Sequence, residues 1–276
     1  MESIGADAAR LAVCSWSLRA GSGVELVDLV RRCSLRHVQL ALDPLRVGAW
    51  DERATRAALE AAEVSIVSGM MAPANEDYST LESIRATGGL FPDATWEQNL
   101  EAAAANAALA RRLGLSLVTL HAGWTPEDPS ARRVVLRRLR AACAAFAEQG
   151  VRVAFETGQD PPASMIGVLE ELREFETGVN FDPANMILYG SADPIEALRA
   201  LAPWVLQAHV KDARPAPAPG EWGEEVAAGE GAVDWPRFFG VVRERLPAID
   251  LAIERESGDR RAEDVEQGAR LVRRLR

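Results

Sequence analysis

Short apolar runs alternate along the chain with longer amphipathic stretches, and this alternation is the first indication of the fold. Most of the runs are apolar on both faces, as expected of strands in a buried parallel sheet. They recur at an average spacing of about 34 residues, near the length of one strand–helix–strand unit. The eight runs are RLAVCSW, HVQLAL, VSIVSGM, SLVTLHAG, VRVAFETG, TGVNFDPAN, VLQAHVKD and DLAIERES.

The stretches between the runs have the composition and the end signals of α-helices. TWEQNLEAAAANAALARRLGL is rich in strong helix formers, with Thr95 as a candidate cap and Gly114 as its stop. Another helix is expected to begin where Asp193 precedes Pro194, a cap followed by a proline in the first turn. The segments DPSARRVVLRRLRAACAAFAEQG and EDVEQGARLVRRLR are also predicted to be helical.

Eight strands, each followed by a helix, predict an α/β protein with the (β/α)₈ TIM-barrel architecture. An open doubly wound sheet is the alternative, but no glycine-rich dinucleotide loop follows the first run. The proline-rich RPAPAPGEWGEE after the seventh run is predicted to be a strand–helix loop rather than a linker. The sequence therefore predicts a single TIM-barrel domain over residues 1–276.

Composition and charge limit the classes of partner. The chain of 276 residues has a net charge of −10, from 31 basic and 41 acidic side chains. Nucleic acids and anionic membranes are bound by clustered Lys and Arg, so we expect neither as a partner. No run approaches the roughly 18 apolar residues of a membrane span, and the acidic first residues do not resemble a secretory signal. Three cysteines without CxxC spacing indicate reduced thiols, and we expect a cytoplasmic protein.

Acidic and imidazole side chains stand where the later runs end. In barrels of this kind the active site lies at the C-terminal ends of the strands. The third histidine, His37, lies at the start of the second run, at the opposite end, and is predicted to be structural. The candidates from the fourth to the eighth run are His121, Glu156, Asp182, His209 and Glu254.

Three carboxylates that meet at one barrel mouth repel each other unless a cation lies between them. Together with His209, the residues Glu156, Asp182 and Glu254 form an oxygen-rich set that suits Mn²⁺ or Mg²⁺ and tolerates Co²⁺ or Zn²⁺. We therefore expect one divalent ion, with Mn²⁺ as the first choice. Each residue taken alone also has a structural interpretation: an acid can cap a helix or pair with an arginine, Asp182 can be a turn residue, and His209 can be a satisfied buried polar group.

The motifs FETG, FDPAN, HVKD, GEGAVDW and IERE together resemble the sugar isomerase and epimerase group of xylose-isomerase-like TIM barrels. That group includes D-tagatose and D-psicose 3-epimerases, epimerases of 3-keto sugars and inosose dehydratases. The resemblance implies that Glu156, Asp182, His209 and Glu254 are the metal ligands, and that Glu156 and Glu254 are also the catalytic acid/base pair. It further implies that Glu230 belongs to a loop that closes the substrate pocket.

Two positions depart from the pattern of many members of this group. Asn185 stands where they carry a histidine, three residues after the aspartate of the sixth strand. Gln39 stands where they carry a glutamate on the second strand. Neither change removes a metal ligand, but both are expected to alter which substrate hydroxyls are recognised.

The remaining candidate substrate contacts each have a structural alternative. Lys211 would add positive charge near a developing oxyanion, or it pairs with Asp212. His121 would bind a hydroxyl or move a proton, or it is packed and hydrogen-bonded. Trp16 would present its ring to a sugar face, or it belongs to the core. Arg214 is the only obvious arginine at the mouth after the seventh run, which favours a substrate without phosphate.

The expected function is a metal-dependent isomerase or epimerase that acts on a small keto-sugar through an enediolate. One glutamate would remove the proton beside the ketone, and the other would return it on the opposite face. A lyase that removes water or a glycosidic group from a 3-keto sugar or inosose is the alternative, because its first step is identical. A nuclease related to endonuclease IV would need more histidines, and a non-catalytic binding barrel is expected to have lost a ligand. The choice between a monomer and a homo-oligomer stays open.

Overall fold

Eight short parallel strands close into a barrel, and they correspond to the eight apolar runs of the sequence. The computed structural model describes residues 10–218 and 220–276. The strands of this part of the chain are β1 Leu11–Cys14, β2 His37–Ala41, β3 Ser65–Met71, β4 Leu117–Leu120, β5 Arg152–Glu156, β6 Gly178–Phe181, β7 Val205–Val210, β8 Asp212–Arg214, β9 Glu224–Val226 and β10 Asp250–Ile253. The barrel runs from β1 through β7 to β10, which pairs with β1, whereas β8 and β9 form a separate hairpin. The predicted TIM barrel is confirmed.

Helices lie between the strands, and several begin and end at the predicted signals. Asp193 accepts hydrogen bonds from two backbone N–H groups of the first turn of its helix, and Gly114 takes a left-handed φ of 73° after another. No helix in the described ranges is both long enough and apolar enough to cross a bilayer. The helices are α1 Gly23–Arg32, α2 Asp43–Arg46, α3 Glu52–Ala61, α4 Leu81–Thr87, α5 Trp96–Arg112, α6 Pro129–Ala147, α7 Pro162–Glu171, α8 Pro183–Tyr189, α9 Pro194–Leu201, α10 Trp235–Arg245 and α11 Arg261–Leu275.

A layer of buried polar side chains lies inside the barrel, where such barrels usually carry branched apolar residues. Its members Gln39, Ser68, Thr119, Asn180 and Gln207 come from five strands and are at most 1% exposed. Ser68 Oγ donates to Gln207 Oε1 at 2.6 Å, and Gln207 Nε2 donates to Asn180 Oδ1 at 3.1 Å. Gln39 Nε2 donates to Thr119 Oγ1 at 2.8 Å. Because an unpaired buried polar group is destabilising, these bonds are what makes a polar interior stable here.

The chain after β7 differs from the prediction. The segment lies between β7 and α10, as a strand–helix loop would, but it contains strands β8 and β9, which pair as an antiparallel hairpin that the sequence did not predict. Pro215 and Pro217 come after β8, so the paired residues of the hairpin keep their N–H groups for the ladder. The proline content of this segment therefore gave no indication of the short strand pair at the barrel mouth.

The first residue of this hairpin, Asp212, anchors the GEGAVDW segment. Its buried carboxylate accepts hydrogen bonds from the backbone N–H groups of Gly229 and Val233 at 2.8 and 3.1 Å, and from the indole N–H of Trp235 at 2.8 Å. A Cβ added to Gly231 would lie 2.1 Å from Asp212 Oδ1. The segment therefore needs both the carboxylate as an acceptor and a glycine beside it.

Replacement of this acceptor should destabilise the fold. We expect Asp212→Asn to lower the free energy of unfolding by about 2 kcal/mol, because its amide would turn N–H hydrogens towards N–H donors. The control Asp193→Asn also changes a carboxylate that accepts two backbone N–H groups, but at an exposed helix cap where Asn and Asp serve equally well, so its effect should stay under about 0.5 kcal/mol. Urea unfolding of both variants measures the difference, and equal losses would contradict the anchoring role of Asp212.

Candidate metal centre

Four side chains at the C-terminal ends of the barrel strands converge on one point. Glu156 is the last residue of β5, Asp182 follows β6, His209 lies near the end of β7 and Glu254 follows β10. Each offers one ligand atom, and these four atoms lie within 4.8 Å of one another. His209 Nδ1 lies 3.1 Å from Glu254 Oε2, 3.5 Å from Asp182 Oδ2 and 3.6 Å from Glu156 Oε1. The structure thus brings together the four residues that the sequence predicted as ligands.

Three atoms of this cluster are buried and make no hydrogen bond within the described part of the chain. They are Asp182 Oδ2, His209 Nδ1 and Glu254 Oε2. Buried acceptors without hydrogen bonds are destabilising, and Glu254 Oε2 has only an ion contact with Lys211 Nζ at 2.9 Å, whereas a cation between the three atoms would use all three lone pairs. Three carboxylates and one imidazole are a donor set for a divalent ion of the Mn²⁺ or Mg²⁺ type. The residues that are present therefore fit one divalent ion.

Asp182 combines the structural and the ligand interpretation of its motif. Its Oδ1 caps α8 by accepting hydrogen bonds from the backbone N–H groups of Ala184 and Asn185 at 2.7 and 3.0 Å. Its Oδ2 stays unbonded and faces the cluster. The cap fixes the orientation of the carboxylate, so the helix start holds one oxygen in the direction of the site.

Without an ion, the charges of the cluster are balanced by protons and by Lys211. Burial lowers the pKa of His209, but Glu254, Cys14 and Glu156 together raise it well above its ordinary value of 6.5. Burial raises the pKa of Glu254, but Lys211 and His209 bring it well below the usual range. A positive charge on His209 and a bound cation would each neutralise the same carboxylates, so the two are expected to compete.

Lys211 belongs to this charge cluster and not to a pair with its neighbour in the chain. Its Nζ lies 2.9 Å from Glu254 Oε2, 2.6 Å from Glu256 Oε2 and 3.7 Å from Asp182 Oδ2. The predicted alternative, an ion pair with Asp212, is wrong because that carboxylate is turned to the GEGAVDW segment. The Lys211 side chain is only 3% exposed, so its charge acts in a poorly solvated place.

Two predicted substrate contacts, Trp16 and Asn185, hold the glutamates in position. The indole N–H of Trp16 donates to Glu254 Oε1 at 2.7 Å, and Asn185 Nδ2 donates to Glu156 Oε1 at 3.0 Å. Both side chains also line the cavity above the cluster. The N–H groups of Trp16 and Asn185 therefore orient the two carboxylates, and this role does not depend on whether the rest of each side chain contacts a substrate.

Glu156 and Glu254 of the cluster form part of the wall of a cavity of about 380 Å³ at the barrel mouth, a size typical of small-molecule sites. His121 lines this cavity with its Nε2 3.8 Å from Glu156 Oε1. Its Nδ1 lies 3.0 Å from both Glu76 Oε2 and Tyr78 Oη. Glu76 and Tyr78 were not predicted as site residues; they lie in the polar segment ANEDYST, where only their position after the third strand points to the barrel mouth.

Arg214 and Glu230 are corrections to the predicted set, because neither is among the described residues that line the cavity. Arg214 is exposed and pairs with Glu224 across the hairpin at 3.1 Å. Glu230 is exposed and accepts a hydrogen bond from Gln267 on α11 at 3.1 Å. The hairpin and the anchored GEGAVDW segment direct both side chains to partners on the outer surface.

The fold and the site place the chain in a known class. It belongs to the xylose isomerase-like TIM barrel family, whose model matches residues 20–275. The structure of a xylose isomerase domain protein from Planctomyces limnophilus is similar at 29% identity and a TM-score of 0.85, over 98% of this chain and 97% of that one. Two further structures share the fold. One is a probable 3-DHS dehydratase, AsbF, from Bacillus anthracis, with 18% identity and a TM-score of 0.74 over 96% of this chain and 98% of that one. The other is a D-allulose 3-epimerase from Methylomonas sp. in complex with D-allulose, with 12% identity and a TM-score of 0.71 over 98% of each chain. No sequence among curated proteins matches the chain.

Direct metal binding tests the centre. The purified protein should bind about one divalent ion per chain, removable by a chelator. Replacement of one ligand in His209→Ala should weaken Mn²⁺ binding by about tenfold or more, as measured by calorimetry. His37→Ala, at the opposite end of the barrel, is the control and should keep the wild-type affinity. Wild-type protein that remains free of ions after metal supplementation would contradict the assignment.

The pH dependence of binding tests the role of His209 separately. A proton and a metal ion compete for Nδ1, so affinity should fall as the pH falls through the raised pKa of His209. Because that pKa lies above the ordinary value of 6.5, the decline should begin above pH 6.5. Mn²⁺ titrations between about pH 8 and pH 5 measure this. A flat affinity would count against His209 as a ligand, and a decline confined to lower pH would count against its raised pKa.

Proposed function

We propose that the protein is a divalent-metal-dependent enzyme that enolises a keto-sugar and returns the proton on the opposite face, as a sugar epimerase or isomerase does. The observation that carries the proposal is the convergence of Glu156, Asp182, His209 and Glu254, three of whose ligand atoms are buried without hydrogen bonds. The similarity in fold to a D-allulose 3-epimerase supports it. Mn²⁺ is the proposed ion, with Mg²⁺, Co²⁺ and Zn²⁺ as substitutes.

Glu156 and Glu254 are the proposed acid/base pair. Each has one oxygen near His209 Nδ1 and the other held by a side-chain N–H, from Trp16 to Glu254 Oε1 and from Asn180 to Glu156 Oε2. These bonds restrict rotation, so the two carboxylates would meet the substrate from fixed directions. A divalent ion bound between them would polarise the substrate carbonyl and stabilise the negative charge on its oxygen.

Lys211 is proposed to stabilise the same developing charge. Its ammonium lines the cavity and is held by Glu254 and Glu256 on one side and by Asn185 Oδ1 at 3.3 Å on the other. A fixed positive charge in a poorly solvated site lowers the energy of a nearby oxyanion more than it would in water. The hydrogen bonds that fix Lys211 mean that little reorganisation is needed during the reaction.

The charges around the cavity favour a sugar without a phosphate group. None of the described residues that line it is an arginine. Of the basic residues in the lining, Lys211 already contacts Glu254, and His121 already contacts Glu76. The acidic residues in the lining are Asp43, Glu76, Glu156, Asp160, Glu254 and Glu256. A phosphate dianion would find no uncommitted cation there, whereas neutral hydroxyls would find many acceptors.

Dehydration of a keto-sugar or a related cyclic ketone is the second candidate, because the cavity holds a third acid/base group. His121 is bonded to Glu76 through Nδ1, and its Nε2 lies close to Glu156. Burial lowers the pKa of His121, but Tyr78, Glu76 and Glu156 raise it well above the ordinary value of 6.5. A protonated imidazole at this place would protonate a leaving hydroxyl, as elimination of water requires. The shared fold with a probable 3-DHS dehydratase agrees with this alternative.

Proton exchange in heavy water distinguishes the two candidates. Metal-loaded protein should place deuterium at the inverted carbon of a ketohexose, ketopentose, inosose or 3-keto glycoside, as read by NMR. Glu156→Gln and Glu254→Gln should each reduce epimerisation by about 100-fold or more, because inversion needs a base on each face. One of the two is expected to retain exchange, since the remaining base removes and returns the proton on its own face.

Metal content has to be measured in both variants, because both glutamates are proposed ligands. Glu230→Gln is the matched control on the outer surface and should keep full activity. Loss of water without inversion, abolished in His121→Gln, would move the assignment to a dehydratase. Absence of exchange with the whole panel would refute the proposal, and cleavage of abasic DNA would replace it with a nuclease.

A further inference from the structure

On the side of His209 that faces away from the ligand cluster, the second ring nitrogen, Nε2, contacts one hydrogen-bond acceptor and one hydrogen-bond donor. Gln39 Oε1, which only accepts hydrogen bonds, lies 2.9 Å from His209 Nε2. Asn180 Nδ2, which only donates, lies 3.0 Å from the same atom. A neutral imidazole carries one hydrogen, so a single tautomer satisfies only one of these neighbours. Which neighbour prevails decides which nitrogen has a free lone pair.

The orientation of the Asn180 amide is fixed by the Glu156 carboxylate, which can only accept hydrogen bonds. Its Nδ2 donates to the Glu156 carboxylate at 3.1 Å, and its Oδ1 accepts from Gln207 Nε2 at 3.1 Å. Asn180 therefore presents its donor to His209 and stabilises the tautomer with a hydrogen on Nδ1. In that tautomer the hydrogen faces Glu254 Oε2, 3.1 Å away, where a metal ion would bind.

The Gln39 amide presents its oxygen to His209 from the other side. Its Nε2 donates to Thr119 Oγ1 at 2.8 Å, and its Oε1 also accepts from the thiol of Cys14 at 3.3 Å. Gln39 is fully buried and its strand pairs with β1 beside Cys14. Cys14 Sγ also lies 3.7 Å from His209 Nε2, but its thiol donates to Gln39 Oε1 and sulfur is a weak acceptor, so the amide oxygen is the stronger partner for a hydrogen on Nε2.

We propose that Gln39 selects the tautomer of His209 that binds the metal ion. A nitrogen ligates through its lone pair, so binding at Nδ1 requires the hydrogen on Nε2, where Gln39 Oε1 accepts it. Asn180 favours the opposite tautomer of the neutral ring, so an ion at Nδ1 binds the form whose remaining hydrogen Gln39 holds on Nε2. Gln39 touches neither ion nor substrate in this role, and is a positioning residue that acts through His209. The inference rests on the proposed metal centre but not on the identity of the reaction.

Metal affinity tests the role of Gln39 independently of activity. Gln39→Met keeps a similar side-chain volume but removes the acceptor, and should raise the Kd for Mn²⁺ by about 10- to 100-fold. Gln39→Glu restores an acceptor oxygen and should stay within about threefold of wild type. Thr55→Ala is the control, because Thr55 is equally buried but its hydroxyl donates only to the backbone oxygen of Asp51, outside this polar layer. Free Mn²⁺ measured by electron paramagnetic resonance gives all four affinities.

The position of the hydrogen is observable directly, since the chain has three histidines and their imidazole ¹⁵N signals can be assigned with single substitutions. The Zn²⁺-loaded wild type should carry the His209 hydrogen on Nε2, whereas metal-free Gln39→Met, titrated until the imidazole is neutral, should carry it on Nδ1. A hydrogen on Nδ1 in the loaded protein, or wild-type affinity in Gln39→Met, would overturn this inference alone. Wild-type protein that binds no ion would overturn the metal centre together with it.

Discussion

Mutual repulsion among three buried carboxylates is the constraint around which the barrel mouth is built. Every carboxylate oxygen that does not face the common point receives an N–H donor: the start of α8 for Asp182, Asn180 for Glu156 and Trp16 for Glu254. Lys211 adds a positive charge at the rim of the same cluster. These donors hold negative groups together that would otherwise separate or take up protons. The remaining lone pairs are left directed at one place, which is the property a divalent ion requires.

The polar interior of the barrel is a consequence of the same constraint. An amide such as Asn180 can direct a donor to a carboxylate only if its own oxygen is satisfied from below, and Gln207 does this. Gln207 in turn needs the hydroxyl of Ser68. Each buried amide therefore needs another buried polar group as its hydrogen-bond partner. The network ends at hydroxyl groups, because a hydroxyl can both donate and accept. This layer of the barrel therefore has hydrogen-bonded polar side chains in place of apolar packing, and these hydrogen bonds fix the orientation of the carboxylates at the mouth.

The sequence predicted the barrel and the four convergent residues because both follow from periodicity and strand ends. Parallel strands of one barrel share a mouth, so Glu156 and Glu254 meet although 98 positions separate them. The roles of Trp16 and Arg214 were not predictable in this way, because they depend on side-chain direction. Trp16 turns its N–H to Glu254, and Arg214 follows the pairing of a hairpin that its prolines concealed. Glu76 lies in a polar segment without periodicity. Nothing in the neighbouring sequence distinguishes a residue that lines a cavity from one that faces solvent.

Lys211 and Asp212 are adjacent in the chain but serve two separate parts of the molecule. The ammonium belongs to the charge cluster, and the next carboxylate ties down the GEGAVDW segment. The turn between β8 and β9 lies beyond both, and its Trp222 packs against Tyr189, a residue of the cavity lining, with ring centroids 4.9 Å apart. Changes in that turn would reach the cavity rim through this aromatic contact, without touching the four convergent side chains. The shape of the cavity rim is thus coupled to a surface turn that contributes none of the four convergent side chains, so sequence variation in the turn and in the cluster can be separated.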